Sequence, residues 1–359
     1  MKAATDTNDS RDPYGPPGTG GRSPGRRTGV TVAAVVALTA TLTLLPLSRD
    51  DRADDVREPR KVAAEVAPAD AEAADCVEPE RSLRPSPQLD EGPSIDKIKA
   101  RGHLIVGIDQ SSYRWGYRNP ATKTIQGFDI DLARAVAKNI LGSPQDIVFR
   151  AIPTNQRVDA LNTTTDSGVD LVVRTMTINC ARSEQVAFST AYFQAGQQVL
   201  APKDSDITGY DESLSGKRVC SADSTTAYDE LAKNSFGAIF EDEHDGTPRD
   251  EDKLTVPNQL DCLVRLQLGE VDAIVTDNAL AAGQAAQDPA VKLVGKPFTE
   301  EYYGIAAKLG NNDLVRRVNH VLEEYRAGGG DSLWMKSYRQ WLEAGLPDIK
   351  APPEAKYKD

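Results

Sequence analysis

Apolar runs of strand length alternate with segments of helical periodicity between residues 95 and 299. The strand-like runs are HLIVGID, DIVFRAI, VDLVVRT, QQVLAPK and KRVCSA, and the helical segments include GFDIDLARAVAKNIL. Val- and Ile-rich runs that alternate with helices indicate parallel α/β units. Further along, NNDLVRRVNHVLEEYR and DSLWMKSYRQWL predict two amphipathic helices around a glycine-rich break. The 359 residues are enough for two α/β domains of ordinary size.

A polar segment and an apolar segment precede this region. Residues 1–28 are polar and rich in Gly and Pro, which predicts a disordered tail. Residues 29–47 carry no charge and are long enough, as a helix, to cross a hydrocarbon core of about 30 Å. A buried core helix is the alternative. Because Arg22, Arg26 and Arg27 precede the apolar run, the positive-inside rule predicts a cytoplasmic N-terminus and an external remainder.

The sequence leaves open whether residues 29–47 are a cleaved signal or a retained single-pass anchor. We favour the anchor because no compelling small-residue cleavage site follows. Residues 48–94 are dominated by Ala, Asp, Glu, Arg and Pro without an apolar face, which predicts an extended tether. We expect folding to start near Ile95 and to end near Leu346, with residues 347–359 as a tail.

Charge and composition exclude several classes of function. A net charge of −12, from 42 basic and 54 acidic residues, is atypical of a nucleic-acid-binding protein. It allows recognition of a small anion, which needs only one or two well-placed arginines. With three His, four Cys and no CxxC or HExxH spacing, we expect no metal and no cofactor. The glycine pattern of a nucleotide-binding loop is also absent from the sequence.

The four cysteines form an even set on the side of the membrane where disulfides persist. They allow three pairings by arithmetic alone. Cys220 and Cys262 both fall in the second half of the α/β region, so a bridge between them is the economical choice. That choice leaves Cys76, in the predicted tether, to pair with Cys180. Free thiols are the alternative, and the external compartment disfavours them.

A cluster of polar residues follows the apolar strand VDLVV. It comprises Arg174, Thr175, Thr177, Asn179 and Arg182, within the segment RTMTINCAR. A solvated loop is the plain interpretation of such a stretch. Hydroxyl and guanidinium groups at the end of a buried strand are, however, also the groups that bind a small anion. The surrounding segments decide between these two interpretations.

The order of motifs resembles the polar amino-acid-binding proteins of ABC importers, which are the family 3 extracellular solute-binding proteins. The resemblance covers residues 95–346 and is carried by LIVGID, GFDIDLARAVA, VDLVVRTMTINCARSEQVAFSTAYF, GEVDAIVTD, YYGIAA and DSLWMKSYRQWL. It implies two α/β lobes that are joined by two crossing strands and close on a ligand. Lobe 1 is expected at residues 95–195 and 300–346, and lobe 2 at residues 196–299. The crossings are expected in TAYFQAGQQVL and EEYYGIAAK.

The same resemblance implies which residues bind the ligand. It assigns Thr177 to the ligand, Arg182 to an α-carboxylate and the backbone of Thr175 to a further contact. It assigns Asp277, beside Thr276, to the α-ammonium group. An N-cap role for Asp277 is the alternative, because a helical segment follows it. A guanidinium and a carboxylate a few ångströms apart are what a zwitterionic amino acid requires.

Lobe 2 is expected to add a turn at the start of a helix. The resemblance maps this turn onto Ser224, Thr225 and Thr226, although the usual glycine is absent here. Arg157 stands where members that bind acidic amino acids carry an arginine, and an exposed helical arginine is the alternative. Arg174 is a second candidate for the ligand's side chain, or it serves the region around Cys180.

Aromatic side chains are expected to stack on the ligand after the first strand. The segment DQSSYRWGYRNP offers Tyr113, Trp115 and Tyr117, with a spacing that departs by one residue from the common pattern. We predict Tyr113 and Trp115 as ligand contacts and Tyr117 as a core residue.

The sequence therefore predicts an extracytoplasmic protein that binds glutamate or aspartate for ABC-type import. We expect it to close on its ligand, to catalyse nothing, and to present the closed form to the membrane subunits of a transporter. Two alternatives stay open: a membrane-tethered sensor that acts on a signalling protein, and a binder that prefers glutamine. An enzyme on the same fold is disfavoured because no unpaired catalytic acid is evident.

Overall fold

The structure is a computed structural model that describes residues 76–88, 91–241 and 254–358. The predicted tail of residues 1–28 and the apolar segment of residues 29–47 lie outside these ranges, and both remain predictions. None of the helices within the described ranges is long and apolar enough to cross a membrane.

Helices and strands alternate along the described chain. The α-helices are α1 (Pro93–Arg101), α2 (Phe128–Leu141), α3 (Arg157–Asn162), α4 (Cys180–Ser183), α5 (Thr226–Lys233), α6 (Gln259–Gln267), α7 (Asn278–Gln287), α8 (Asn312–Arg326) and α9 (Leu333–Trp341). The strands are β1 (Leu104–Ile108), β2 (Ser111–Ser112), β3 (Gly116–Arg118), β4 (Ile125–Gln126), β5 (Ile147–Ala151), β6 (Leu171–Val172), β7 (Val186–Phe188), β8 (Phe193–Ala195), β9 (Gln197–Pro202), β10 (Val219–Ala222), β11 (Thr255–Val256), β12 (Ala273–Asp277), β13 (Val291–Val294), β14 (Glu301–Tyr303) and β15 (Ala306–Lys308).

Lobe 1 is built on a five-stranded sheet with the order β5-β1-β6-β15-β7. Strand β1 runs parallel to β5 and β6, whereas β15 is antiparallel to β6 and β7. The apolar faces of α2, α8 and α9 bury Phe128, Trp334 and Tyr338 in one core. Gly127, which precedes α2, has φ 130°, and a Cβ atom there would lie 2.2 Å from the carbonyl oxygen of Trp115. Only glycine fits this close approach.

Lobe 2 is built on a second five-stranded sheet with the order β11-β10-β12-β9-β13. Strand β10 is parallel to β11 and β12, and β9 is antiparallel to β12 and β13. Successive side chains of β12 face opposite sides of the sheet, so Val275 packs in one apolar cluster and Ile274 in the other. Because both faces are covered, residues 273–275 of β12 are all apolar and do not alternate with polar ones.

Two antiparallel strands, β8 and β14, connect the lobes. Strand β8 lies between β7 of lobe 1 and β9 of lobe 2, and β14 lies between β13 of lobe 2 and β15 of lobe 1. They fall within the two segments in which the sequence predicted crossings. The predicted two-lobed α/β architecture is confirmed.

Residues 76–88 pack against lobe 1, although the sequence predicted an extended tether for residues 48–94. The Ser82 side chain is buried, donates to the carbonyl oxygen of Phe188 at 2.6 Å and accepts from Asn319 Nδ2 at 2.9 Å. Ser82 also pairs in parallel with Tyr357. Contacts of the folded lobe, which composition alone does not reveal, therefore order this part of the predicted tether and of the predicted tail.

Two disulfides join the four cysteines in the pairing that the sequence favoured. Cys220 on β10 and Cys262 on α6 are fully buried, with their Cα atoms 5.6 Å apart. Cys76 is bonded to Cys180 at the start of α4, with a Cα–Cα distance of 5.8 Å. The first bridge lies inside lobe 2, and the second fixes residue 76 beside the polar segment that follows β6.

We expect the double variant C220A/C262A to lose about 2–4 kcal/mol of unfolding free energy, because a cross-link over 42 residues restricts the unfolded chain. Equilibrium unfolding in guanidinium chloride, followed by circular dichroism, measures the loss. A midpoint equal to that of the unsubstituted chain would show that the bridge contributes nothing to stability.

Candidate functional site

A narrow cavity lies between the lobes, and about 360 Å³ of it, including space open to solvent, is not filled by protein atoms. Its lining is mostly polar and consists of Asp109, Ser112, Thr154, Arg157, Arg174, Thr175, Thr177 and Arg182 from lobe 1, and of Gln197, Thr225, Thr226, Ala227, Gln259, Asp277 and Leu280 from lobe 2. Asp109 follows β1 and Asp277 ends β12, so the cavity lies at the carboxyl ends of parallel strands in both sheets. Ligands of open α/β sheets bind at such ends.

Arg182 reaches across the cavity from the short helix α4. The Asn179 side chain caps this helix by accepting from the Arg182 backbone N–H at 2.9 Å. The Arg182 guanidinium donates to the Thr177 carbonyl at 2.8 Å within lobe 1 and to the Ser224 carbonyl at 3.1 Å in lobe 2. Burial lowers the pKa of Arg182, and the carboxylate of Asp229 opposes this shift most strongly.

Arg157 lies at the start of α3 and is buried, not exposed as the alternative interpretation assumed. Its Nε donates to the Thr154 carbonyl at 2.8 Å, and its Nη2 donates to the Ser224 carbonyl at 2.7 Å. Burial lowers the pKa of Arg157 well below its ordinary value, and the neighbouring charges of Arg182 and Arg174 lower it further. The cavity therefore holds a desolvated cation that donates to carbonyl oxygens.

The carbonyl of Ser224 accepts from both of these arginines, and the backbone of Ser224 is left-handed, with φ 57°. The turn that usually contains glycine is thus formed here by a serine, whose hydroxyl bonds to Asp223. The next residue, Thr225, caps α5 by accepting from the Tyr228 N–H at 3.2 Å. Thr226, which opens the helix, accepts from Gln197 Nε2 at 2.9 Å.

Asp277 stands at the N-cap position of α7, but its side chain makes no capping bond. Its carboxylate accepts from Gln197 Nε2 at 2.5 Å and from the hydroxyl of Tyr303, a residue of the connecting strand β14. Burial and the nearby charge of Glu301 raise the pKa of Asp277 to about 7. The carboxylate is therefore directed to the cavity and not to the helix.

Arg174 pairs with Asp109 at 3.0 Å, and both side chains are buried. Asp109 also accepts from the Ser112 hydroxyl at 2.8 Å, so its charge is well compensated. The adjacent Thr175 has φ 42°, and its N–H donates to Asp129 at 3.1 Å. Burial raises the pKa of Asp129 to about 7.

The aromatic residues and Thr276 occupy different places from those predicted. Trp115 does not line the cavity, because its indole is buried in the core of lobe 1 against Phe193. Tyr113 lines a smaller space beside Gln259 and Leu280. Tyr117 packs edge-on against Tyr113, with ring centroids 4.9 Å apart. Thr276 is fully buried in β12 and is absent from the cavity lining.

Several residues of the site were not predicted from the sequence. They are Asp109, Ser112, Thr154, Gln197, Ala227, Gln259 and Leu280 in the lining, and Tyr303 and Glu301 next to Asp277. Asp109 was identifiable, because it follows the apolar strand LIVGI at a carboxyl end. The glutamines gave no comparable signal, since neutral polar residues are common on exposed helices and strand ends.

Five lining atoms are buried without a hydrogen-bond partner within the described residues: Thr154 Oγ1, Arg174 Nε, Arg174 Nη2, Gln197 Oε1 and Gln259 Oε1. Buried polar atoms are nearly always bonded, so the oxygens suit a ligand with N–H groups and the Arg174 nitrogens suit a ligand with acceptor oxygens. The described part of the chain contains no group of three or more His, Cys, Asp or Glu residues able to hold a metal ion.

Four contacts cross the cleft to main-chain oxygens of lobe 2. Besides the two arginine contacts with Ser224, the Trp115 indole N–H donates to the Ala279 carbonyl at 3.0 Å, and the Thr154 N–H donates to the Pro257 carbonyl at 3.2 Å. A Cβ atom on Gly283 would lie 2.7 Å from the Tyr113 carbonyl oxygen, so a glycine permits the lobes to approach this closely. The structure is a closed form.

We expect Ser224→Val to lower the unfolding free energy by about 1–2 kcal/mol, because a β-branched residue is strained at φ 57°. Ser224→Gly relieves this strain and should unfold no earlier than the unsubstituted protein. Ser224→Ala serves as the control for loss of the hydroxyl. Chemical denaturation of the three variants gives the order, and equal stability of the Val and Gly variants would contradict the strain.

Comparison with known proteins places the chain among solute-binding proteins. Residues 104–344 match the family model for bacterial extracellular solute-binding proteins, family 3. The chain is 30% identical to the ABC transporter glutamine-binding protein GlnH of Bacillus subtilis over 250 residues, which cover 70% of this chain and 85% of that protein. It is 29% identical to the glutamate-binding protein GluB of Corynebacterium glutamicum over 239 residues, covering 64% and 75%.

A solved structure supports the same placement. The holo form of ArgBP from T. maritima superposes with a TM-score of 0.57 at 30% identity, over 68% of this chain and 99% of that protein. The family match spans both sheets, both connecting strands and every residue that lines the cavity. The chain belongs to the bacterial extracellular solute-binding proteins of family 3.

Proposed function

We propose that the protein binds an acidic α-amino acid, glutamate or aspartate, outside the cytoplasm and delivers it to an ABC-type importer. One observation carries the proposal: Arg182 of lobe 1 and Asp277 of lobe 2 line the same closed cavity. A guanidinium and a carboxylate on opposite walls complement the two charges of a zwitterion.

The α-carboxylate pairs with Arg182 and the α-ammonium group pairs with Asp277. Thr177 and the Thr175 backbone supply further contacts on the lobe 1 side, and Thr225 and Thr226 supply them on the lobe 2 side. Since the two charged partners belong to different lobes, a ligand that engages both stabilises the closed form relative to the open one. Binding then acts as a population shift that a partner can recognise.

The balance of charge in the lining favours an acidic side chain. After Arg182 and Asp277 are assigned to the zwitterion, Arg174 is compensated by Asp109 at 3.0 Å, and Arg157 is left without a carboxylate. A second ligand carboxylate beside Arg157 gives this desolvated cation a charged partner in place of carbonyl oxygens. Glutamate and aspartate both provide one.

Glutamine is the second candidate. The unpartnered Gln259 Oε1 and the carboxylate of Asp109 are acceptors in the same lining, and a side-chain amide supplies donors for them. The relatives include both a glutamine-binding and a glutamate-binding protein. The ratio of the affinities for glutamate and glutamine therefore reports whether Arg157 or these acceptors make the stronger contact with the ligand's side chain.

The partner we propose is the membrane part of an ABC importer, in line with the name of the B. subtilis relative. The apolar segment of residues 29–47 suits a protein that is held at the outer face of the cell membrane. A membrane signalling protein that recognises the closed form is the alternative partner. The proposal of binding without catalysis is supported by the relatives, which are named as binding proteins.

A thermal-shift panel of the twenty amino acids tests the proposed function. We expect glutamate or aspartate at a hundredfold excess over its Kd to contribute about 2.7 kcal/mol of stability and to raise the unfolding temperature by several degrees. D-glutamate, which presents the same groups in the wrong hand, is the control. If no amino acid stabilises the protein, the proposal is wrong.

Arginine variants test the assigned roles. We expect Arg182→Ala to weaken glutamate and glutamine alike by about 100-fold or more, because an α-carboxylate then loses its charged partner in a desolvated site. Arg157→Ala should weaken glutamate far more than glutamine. Isothermal titration calorimetry measures both losses.

Arg265→Ala is the matched control for these variants, because Arg265, on α6, pairs with Glu270 and does not line the cavity. Its affinities should equal those of the unsubstituted protein. Equal losses of glutamate and glutamine in the Arg157 variant would contradict the side-chain role of Arg157.

A further inference from the structure

Glu301 on the connecting strand β14 shares a hydrogen-bond donor with Asp277. The Gln197 Nε2 atom lies 2.5 Å from Asp277 Oδ1 and 3.5 Å from Glu301 Oε1. Glu301 also accepts from the Thr226 hydroxyl at 3.3 Å and the Thr299 hydroxyl at 3.2 Å. The two carboxylates therefore border one amide group at the lobe 2 side of the cavity.

Both acids are buried, and neither has a cationic partner within the described residues. Glu301 is 5% exposed and Asp277 is 6% exposed. No ion pair joins either of them to a lysine or arginine in the described chain, since Arg157 and Arg182 donate to carbonyl oxygens instead. Two buried carboxylates at close quarters do not both stay ionised without a cation.

We propose that Asp277, beside the charge of Glu301, carries a proton in the closed, unliganded site, and that the ligand's ammonium group takes the place of this proton. The inference rests on the proposed binding of an amino acid. In the exchange the proton leaves to the buffer, the carboxyl O–H bond breaks, and its electron pair stays on the carboxylate. Glu301 is thereby a positioning residue: its charge favours the protonated form of Asp277, and it accepts a hydrogen bond from Gln197.

The groups around Asp277 and Glu301 can accept the hydrogen bonds of an incoming ammonium group. Gln197 Oε1 is a buried acceptor without a donor, and an ammonium group brings three N–H donors. The titratable and charged groups that face the pair are Tyr303 of β14, Tyr192 before β8, Arg157 of α3, Arg182 of α4 and, further away on α5, Asp229 and Lys233.

The direction of the pH dependence follows from the raised pKa of about 7 for Asp277, which burial and Glu301 cause. An ammonium ligand stabilises the ionised form, so its affinity falls as the pH drops through 7. With one proton released, affinity rises about 25-fold between pH 5.5 and pH 7.5. Removal of the Glu301 charge lowers the pKa of Asp277, and this moves the dependence to lower pH.

Two adjacent glutamates give a matched pair of variants. Glu301→Gln keeps the shape of the buried side chain and removes its charge, whereas Glu300→Gln changes an exposed residue of the same segment. Calorimetric titrations with glutamate from pH 5.5 to 7.5 should give a gain of about 25-fold for the unsubstituted protein and for E300Q, and about fourfold or less for E301Q. Asp129 titrates in all three proteins alike and cancels in the comparison.

A second measurement needs no variant. Titration of the unsubstituted protein at pH 7 in phosphate and in Tris, which differ in ionisation enthalpy, should report release of about half a proton per ligand. Binding without proton release, or equal pH profiles for E301Q and E300Q, would overturn the inference and leave the proposed function intact. Absence of binding by the unsubstituted protein would instead overturn the proposed function.

Discussion

Desolvation of charge governs the site in the closed form. In the closed form Arg157 and Arg174 are buried and Arg182 is half-buried, so their guanidinium groups need partners inside the protein. Arg174 has Asp109, while the other two arginines share the carbonyl oxygen of Ser224. A neutral carbonyl is a weaker partner than a carboxylate, so the closed site favours an anion. The Ser224 backbone, which supplies this carbonyl, is held at φ 57°, and strained backbone of this kind is concentrated at functional sites.

Much of the fold was predictable because periodicity reports burial. The strand-like runs and the helical segments of the sequence correspond to β1, β5, β6 and α2 in lobe 1 and to β9, β10 and β12 in lobe 2. For residues 76–88 the sequence predicted the disulfide of Cys76 but not the packing against lobe 1, where hydrogen bonds of Ser82 order a segment with few apolar residues. Such contacts depend on residues more than a hundred positions away.

The site was predictable where charge and position coincide. Arg182, Asp277 and Arg157 line the cavity, as do Thr175, Thr177, Thr225 and Thr226. The role of Trp115 was predicted wrongly, because an aromatic residue of a short loop packs equally well in a core or in a cleft, and spacing does not distinguish the two. Gln197 and Glu301 escaped notice since their significance lies in one shared amide, which only the folded connecting strands bring together.

The main-chain acceptors across the cleft have a consequence for how such receptors diversify. Ser224, Ala279 and Pro257 receive the interlobe bonds through backbone oxygens, which side-chain replacement leaves in place. The acceptors of the interlobe bonds are therefore main-chain oxygens, whereas two of the donors, Arg157 and Arg182, also belong to the proposed binding site. Substitutions at Gln259 and Asp109 that change the preferred ligand therefore leave the interlobe hydrogen bonds to Ala279 and Pro257 in place.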